Sequence, residues 1–147
     1  MNWFAIILTT CAGAFLPIQG AVNARLGRAL DNPILATLSS FVTGTIALVL
    51  YVLIARVALP DSATLLRVPL WAWLGGLIGA VYVGVMVWSV PKLGTATAFG
   101  VAIAGQIILS AILDHFGVLG LKTHPISVMR AAGVVLLLAG VVMVQRG

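Results

Sequence analysis

Polar side chains recur at a spacing of four in two otherwise apolar stretches of the chain: Gln19 with Asn23, and Gln106 with Ser110 and Asp114. That spacing places each set on one face of a helix. Amides and hydroxyls on such a face either bind a polar solute or bond to a neighbouring helix, and Gln19 and Gln106 are open to both uses. Asn23 is open to a solute, or to a helix-surface or capping role. Asp114 is the sole acidic residue at the edge of an apolar stretch. It is a place for proton coupling if enclosed, or a boundary residue paired with Lys122 or Arg130. Arg25 and Arg28 read as anchors whose long stems keep their heads in water, with Arg25 also available to an anion. Ser40 and Trp88 complete the cavity candidates, Trp88 either stacking on a solute or joining an interfacial aromatic belt.

Other chemistries find no support. His115 and His124 are nine residues apart with no Cys or Glu beside them, and Cys11 is the single cysteine, so no metal site is expected. No nucleophile elbow and no Walker loop is present. No catalytic residue and no cofactor is expected, and the chain does not read as an enzyme. Its net charge of +5 comes from eight scattered Lys and Arg without interleaved aromatics, which gives no nucleic-acid footprint. Glutamate is absent, and the acidic residues are Asp31, Asp61 and Asp114. With no carboxylate mid-span, a cation exporter that works around a central acid is hard to assemble from these residues.

The elements that would position these side chains follow from composition. Of 147 residues 62% are hydrophobic and only 7% charged, against roughly 25% charged in soluble domains. Such a chain cannot cover a soluble surface. It reads as an all-α, polytopic membrane protein, one transmembrane domain over residues 1–147. About 20 apolar residues make a span, which gives five: approximately 2–20, 34–55, 69–90, 93–113 and 126–144. The first has no basic run before it, so it reads as a span rather than a cleaved signal. Pro17 is expected to kink or end it. Residues 21–33 read as a polar connection, long enough for a short interfacial helix, with Pro33 opening the next span. Residues 56–68 read as a loop turning at Pro60-Asp61. The short link 91–94 makes spans three and four antiparallel neighbours. Small residues at Gly75, Gly79 and Gly84, and at Gly100 and Ala104, form stripes suited to close helix packing.

Orientation is balanced. Lys and Arg mark the cytoplasmic side, yet one side would carry Arg25, Arg28, Lys92 and Arg146, and the other Arg56, Arg67, Lys122 and Arg130. Either the bias is weak and insertion one-way, or copies insert both ways and pair as inverted homodimers.

The stretch LPIQGAVNARLGRALDNPILATLSSFVTGTIALVL, residues 16–50, resembles the DUF606 or YdcZ-type family of the drug/metabolite transporter superfamily. The second half is similar too, in Gly100, Gln106, Ser110, Asp114 and Gly117, then Arg130, Gly133 and Gly140. The resemblance implies a five-helix unit related to half of the ten-helix superfamily members. Some relatives pair as homodimers or as subunits of opposite orientation, others are tandem fusions, and this favours the inverted homodimer here. It also implies a multi-pass protein of a bacterial inner membrane. The glutamate that couples cation export in small superfamily relatives is missing, so that mechanism does not carry over. The expected function is secondary transport of a small polar or anionic molecule by alternating access, as a dimer in lipid. A small dual-topology channel and an accessory membrane subunit are the alternatives.

Overall fold

A computed structural model describes residues 2–120 and 122–146. All regular structure there is helical: α1 (Trp3–Ala29), α2 (Pro33–Ile54), α3 (Ser62–Arg67), α4 (Gly75–Leu93), α5 (Thr95–Phe116) and α6 (Val128–Arg146). A 3-10 turn, Leu70–Leu74, leads into α4, and another, Val118–Gly120, follows α5. Five of these helices are long and apolar enough to cross a membrane, α4 counting with its 3-10 turn. The chain divides into two compact units that meet in sequence between Lys92 and Leu93.

In the first unit, the Asn2 side chain caps α1 by accepting from the Ala5 N–H at 3.2 Å. The helix runs through Pro17 without a break, a disruption that membrane helices tolerate. It also absorbs most of the stretch expected as a connection. Gly20, Asn23, Ala24 and Gly27 are buried there, at helical spacing on one face. That packed face outweighs the polarity of Arg25 and Arg28, which stay on the outside as exposed residues. Only Leu30–Asn32 separates α1 from α2. Asp31 takes a left-handed φ of 50°, and the Asn32 side chain accepts from the Ile34 and Leu35 N–H groups. Pro33 follows at the first helical position, where its fixed φ suits the helix.

Beyond α2, the expected loop contains the short helix α3. Asp61 caps it by accepting from the Thr64 N–H at 2.9 Å, the usual role of an aspartate before a helix. α4 then returns alongside α2. A β-carbon on Gly79 would lie 3.5 Å from the Phe41 ring, and one on Gly84 would lie 3.7 Å from the Thr37 hydroxyl. As numbers fall on α4 they rise on α2, so the two helices run antiparallel. Trp3, Tyr51, Trp71 and Trp73, all exposed, lie at the helix ends on one side of this unit. Arg28, Trp88 and Lys92 lie at the other. Amphipathic aromatic and basic residues at both ends of an apolar slab mark membrane interfaces.

Gly94, with φ of 80°, opens α5. A side chain at that φ is strained. In the second unit α5 packs on α6, and a β-carbon on Gly100 would meet Val141 at 3.5 Å. Gly117, at φ 60°, ends α5 in the left-handed conformation, a common helix stop. Large apolar side chains are exposed along all five long helices, among them Phe4, Leu48, Ile78, Leu109 and Leu136. Among the described residues no large side chain is fully buried. That inversion of the soluble pattern fits a lipid-facing surface.

Candidate functional site

Each unit holds a polar cluster within its apolar helices. In the first, α1 and α2 bring Gln19, Asn23 and Ser40 together. The Asn23 amide donates to the Ser40 hydroxyl at 3.1 Å, and the Gln19 amide reaches the same oxygen at 3.5 Å. Asn23 is only 6% exposed, whereas Gln19 is exposed on the surface of its unit. Thr37, one turn before Ser40, is buried at 7%. Its hydroxyl donates to the Pro33 carbonyl at 2.9 Å, which satisfies it within its own helix. Arg25 lies on the far side of α1, exposed, and takes no part in this cluster.

Trp88 belongs to a separate place. It is 55% exposed near the end of α4, and the Lys92 ammonium sits 3.3 Å from its ring centroid, one turn on. Both line a pocket of 220 Å³ with Arg28, Asp31 and Asn32 from the α1–α2 turn. An apolar groove of 590 Å³ lies along α2 and α4, lined by residues including Ile34, Leu38, Phe41, Val81 and Val85.

The second unit closes around Asp114. Its carboxylate faces the Arg130 guanidinium at 3.4 Å, and its backbone carbonyl accepts from the His124 N–H at 2.7 Å. Arg130 also donates to the His124 carbonyl at 3.1 Å. The His115 ring accepts from the Ile126 N–H at 3.1 Å. The whole set ties the loop before α6 onto the end of α5. Ser110, Asp114 and Arg130 line one pocket of 330 Å³ with Ile107, Gly133 and Leu137. Gln106 does not line it. Gln106 is exposed, and its side chain makes no hydrogen bond among the described residues. The shared face of Gln106, Ser110 and Asp114 therefore divides between a pocket and an open surface.

Of the small residues, Gly79, Gly84 and Gly100 meet neighbours within 4 Å, and Ala104 is buried. Gly75 faces open space. The tightest approach is at Gly27, where an added β-carbon would lie 3.0 Å from a Val87 methyl. Tyr82 carries a buried hydroxyl without a partner among the described residues. Among the described residues no group of three His, Cys, Asp or Glu gathers as metal ligands do. Residue chemistry missed at the sequence level includes buried Ser89 and the stacking of Lys92 on Trp88. The last had a signal, since positions 88 and 92 stand one helical turn apart.

Apolar helices of membrane-crossing length, with a few polar groups gathered between them, define a polytopic helical membrane protein. Residues 4–143 match the family model described as "Putative inner membrane exporter, YdcZ". The chain belongs to this YdcZ family of drug/metabolite transporters, so its general function is small-molecule transport rather than enzymatic catalysis. No curated protein and no solved structure is similar enough to match.

Proposed function

We propose that the chain is one transmembrane domain of a bacterial inner membrane and works as an inverted homodimer. The pair carries a small polar or anionic molecule by alternating access. The observation that carries this is the exposure of Gln19, Gln106 and Ser110 within membrane-crossing helices. Polar groups at that depth face protein or a water-filled cavity rather than lipid. A second copy supplies the cover, and the space between copies supplies the cavity. Gln19, Asn23 and Ser40 of the first unit, and Gln106 of the second, are the side chains we assign to solute; Arg25, Trp88, Ser110 and Asp114 are further candidates, each within its own unit. Five crossings make an odd number, so an inverted copy reproduces the inverted-repeat plan of many secondary transporters. The evenly divided Lys and Arg suit insertion both ways.

Asp114 is committed to Arg130 in this arrangement. Its role is structural, and coupling is not assigned to it. The Gln, Asn and Ser set carries no fixed charge and both donates and accepts hydrogen bonds, which suits a polar solute.

The test is flux of a panel of polar and anionic solutes into liposomes holding the purified protein. Saturable uptake that falls in Asn23→Leu and Gln106→Leu supports the assignment. Non-saturating conductance through a dimer would favour a channel. A purified dimer with no flux across the panel would point to an accessory subunit.

A further inference from the structure

The basic pocket at the α1–α2 turn and the apolar groove share no lining residue but succeed one another along α2 and α4. Pro33 lines the pocket and Ile34 the groove on α2; Val87 lines the pocket and Val85 the groove on α4. The succession thus starts among charged residues at a helix end and continues among apolar ones toward the middle of the bilayer. From Ile34 to Phe41 the groove follows α2 for about 10 Å, at about 1.5 Å per residue.

Arg28 and Lys92 both line the pocket, and neither is ion-paired to a carboxylate among the described residues. Asp31 shares the pocket but leaves its two cations in excess. Stacking of Lys92 on Trp88 holds the ammonium beside the opening. The far end of the same unit carries Trp3, Tyr51, Trp71 and Trp73, so the pocket lies at the opposite membrane interface.

We propose that pocket and groove together bind an anionic phospholipid, with its phosphate between Arg28 and Lys92 and one acyl chain in the groove along α2 and α4. Charge complementarity calls for an anion at the pocket. The apolar groove next along the same two helices suits an anion with an apolar tail. Basic pockets between membrane helices hold lipid headgroups in this way. The site does not rest on the transport assignment, although Trp88 is named in both: all its residues belong to one unit of one chain.

The test is native mass spectrometry of the purified full chain, loaded with phosphatidylglycerol or phosphatidylcholine of the same acyl composition. Phosphatidylglycerol is expected to be retained in preference. Arg28→Gln combined with Lys92→Gln should remove that preference, weakening retention by roughly tenfold or more, while each single change removes part of it. Ala80→Phe, which fills the groove and leaves the charges, should weaken retention of both lipids. Thermal unfolding without added lipid checks that each variant is folded, and Arg28→Lys with Lys92→Arg should keep the preference. Equal retention of the two lipids by the unaltered chain would overturn the proposal. So would full displacement by equimolar inorganic phosphate, which would make it a soluble-anion site. Loss of dimer in Ala80→Phe with lipid retention unchanged would show instead that a second copy fills the groove.

Discussion

At the residue scale, Ser40 is the hub of the first polar cluster, since two amides converge on its hydroxyl. Hydrogen bonds between membrane helices average about 0.6 kcal/mol, with a maximum near 1.7. A double-mutant cycle between Asn23→Ala and Ser40→Ala should therefore return a coupling of about 0.6 kcal/mol in detergent unfolding. Zero coupling would mean the two side chains do not meet. Gln19→Ala should cost less, because its contact is longer and its side chain exposed. Asp61 lies outside the crossing helices and shows a pH effect of known sign. Hydrogen bonds from the Thr64 side chain, and then from its backbone N–H, hold the Asp61 carboxyl below its ordinary value. A carboxyl lowered on folding stabilises the fold above its unfolded pKa, and that stability is lost as pH falls through the folded value. α3 should thus stay capped at neutral pH and loosen in acid below the ordinary carboxylate range. Amide exchange across residues 64–66, corrected for intrinsic rates, measures this. Asp61→Asn keeps a capping oxygen and should flatten the pH response. An unchanged acid response in that variant would place its origin elsewhere.

At the scale of elements, Gly27 sets how closely α1 approaches its neighbours. An added β-carbon would meet a Val87 methyl at 3.0 Å, with Pro33 and Ala36 behind it at 3.5 and 3.6 Å. Gly27→Leu should destabilise the first unit by about 1–3 kcal/mol, the usual cost of overpacking. Adding Val87→Ala should recover part of that loss in thermal unfolding. No recovery would show that the backbone at Pro33, rather than the side chain of Val87, is the obstacle. The same contact explains what the sequence hid. The five long helices were legible because apolar length alone identifies a crossing. The continuation of α1 to Ala29 was not, because Arg25 and Arg28 made the stretch look like a connection. The usable signal was the face formed by Gly20, Asn23, Ala24 and Gly27, small or polar residues spaced as a helix requires. Within the candidate site, neighbours along one helix could be read from spacing, as for Ser110 and Asp114. Partners on another helix could not, which is why Ser40 as a shared acceptor and the exclusion of Arg25 needed coordinates. Arg130 was one of two partners open to Asp114, and the loop wrapping back through His124 and Ile126 decided between them.

At the scale of the whole molecule, the balance of basic residues gives the inverted dimer its sharpest test. Each side carries four Lys and Arg, so small changes should tip insertion. Arg56→Ala with Arg67→Ala lowers one side from four to two. Ser62→Lys with Ala63→Lys raises that same side from four to six. These changes lie in or beside α3, outside the crossing helices. The two variants should insert in opposite orientations, read as labelling of a C-terminal tag from one side only. The unaltered chain should label from both. If transport requires one copy of each orientation, either variant alone should lose nearly all saturable flux, and co-expression of the two should restore it. Gln19, exposed on its own unit, gives a physical reason: an amide within a crossing helix needs cover from protein or water, which an inverted partner would supply. Full flux from either variant alone, with its tag labelled from one side, would rule out inverted pairing and leave a parallel dimer or a monomer as the transporting form.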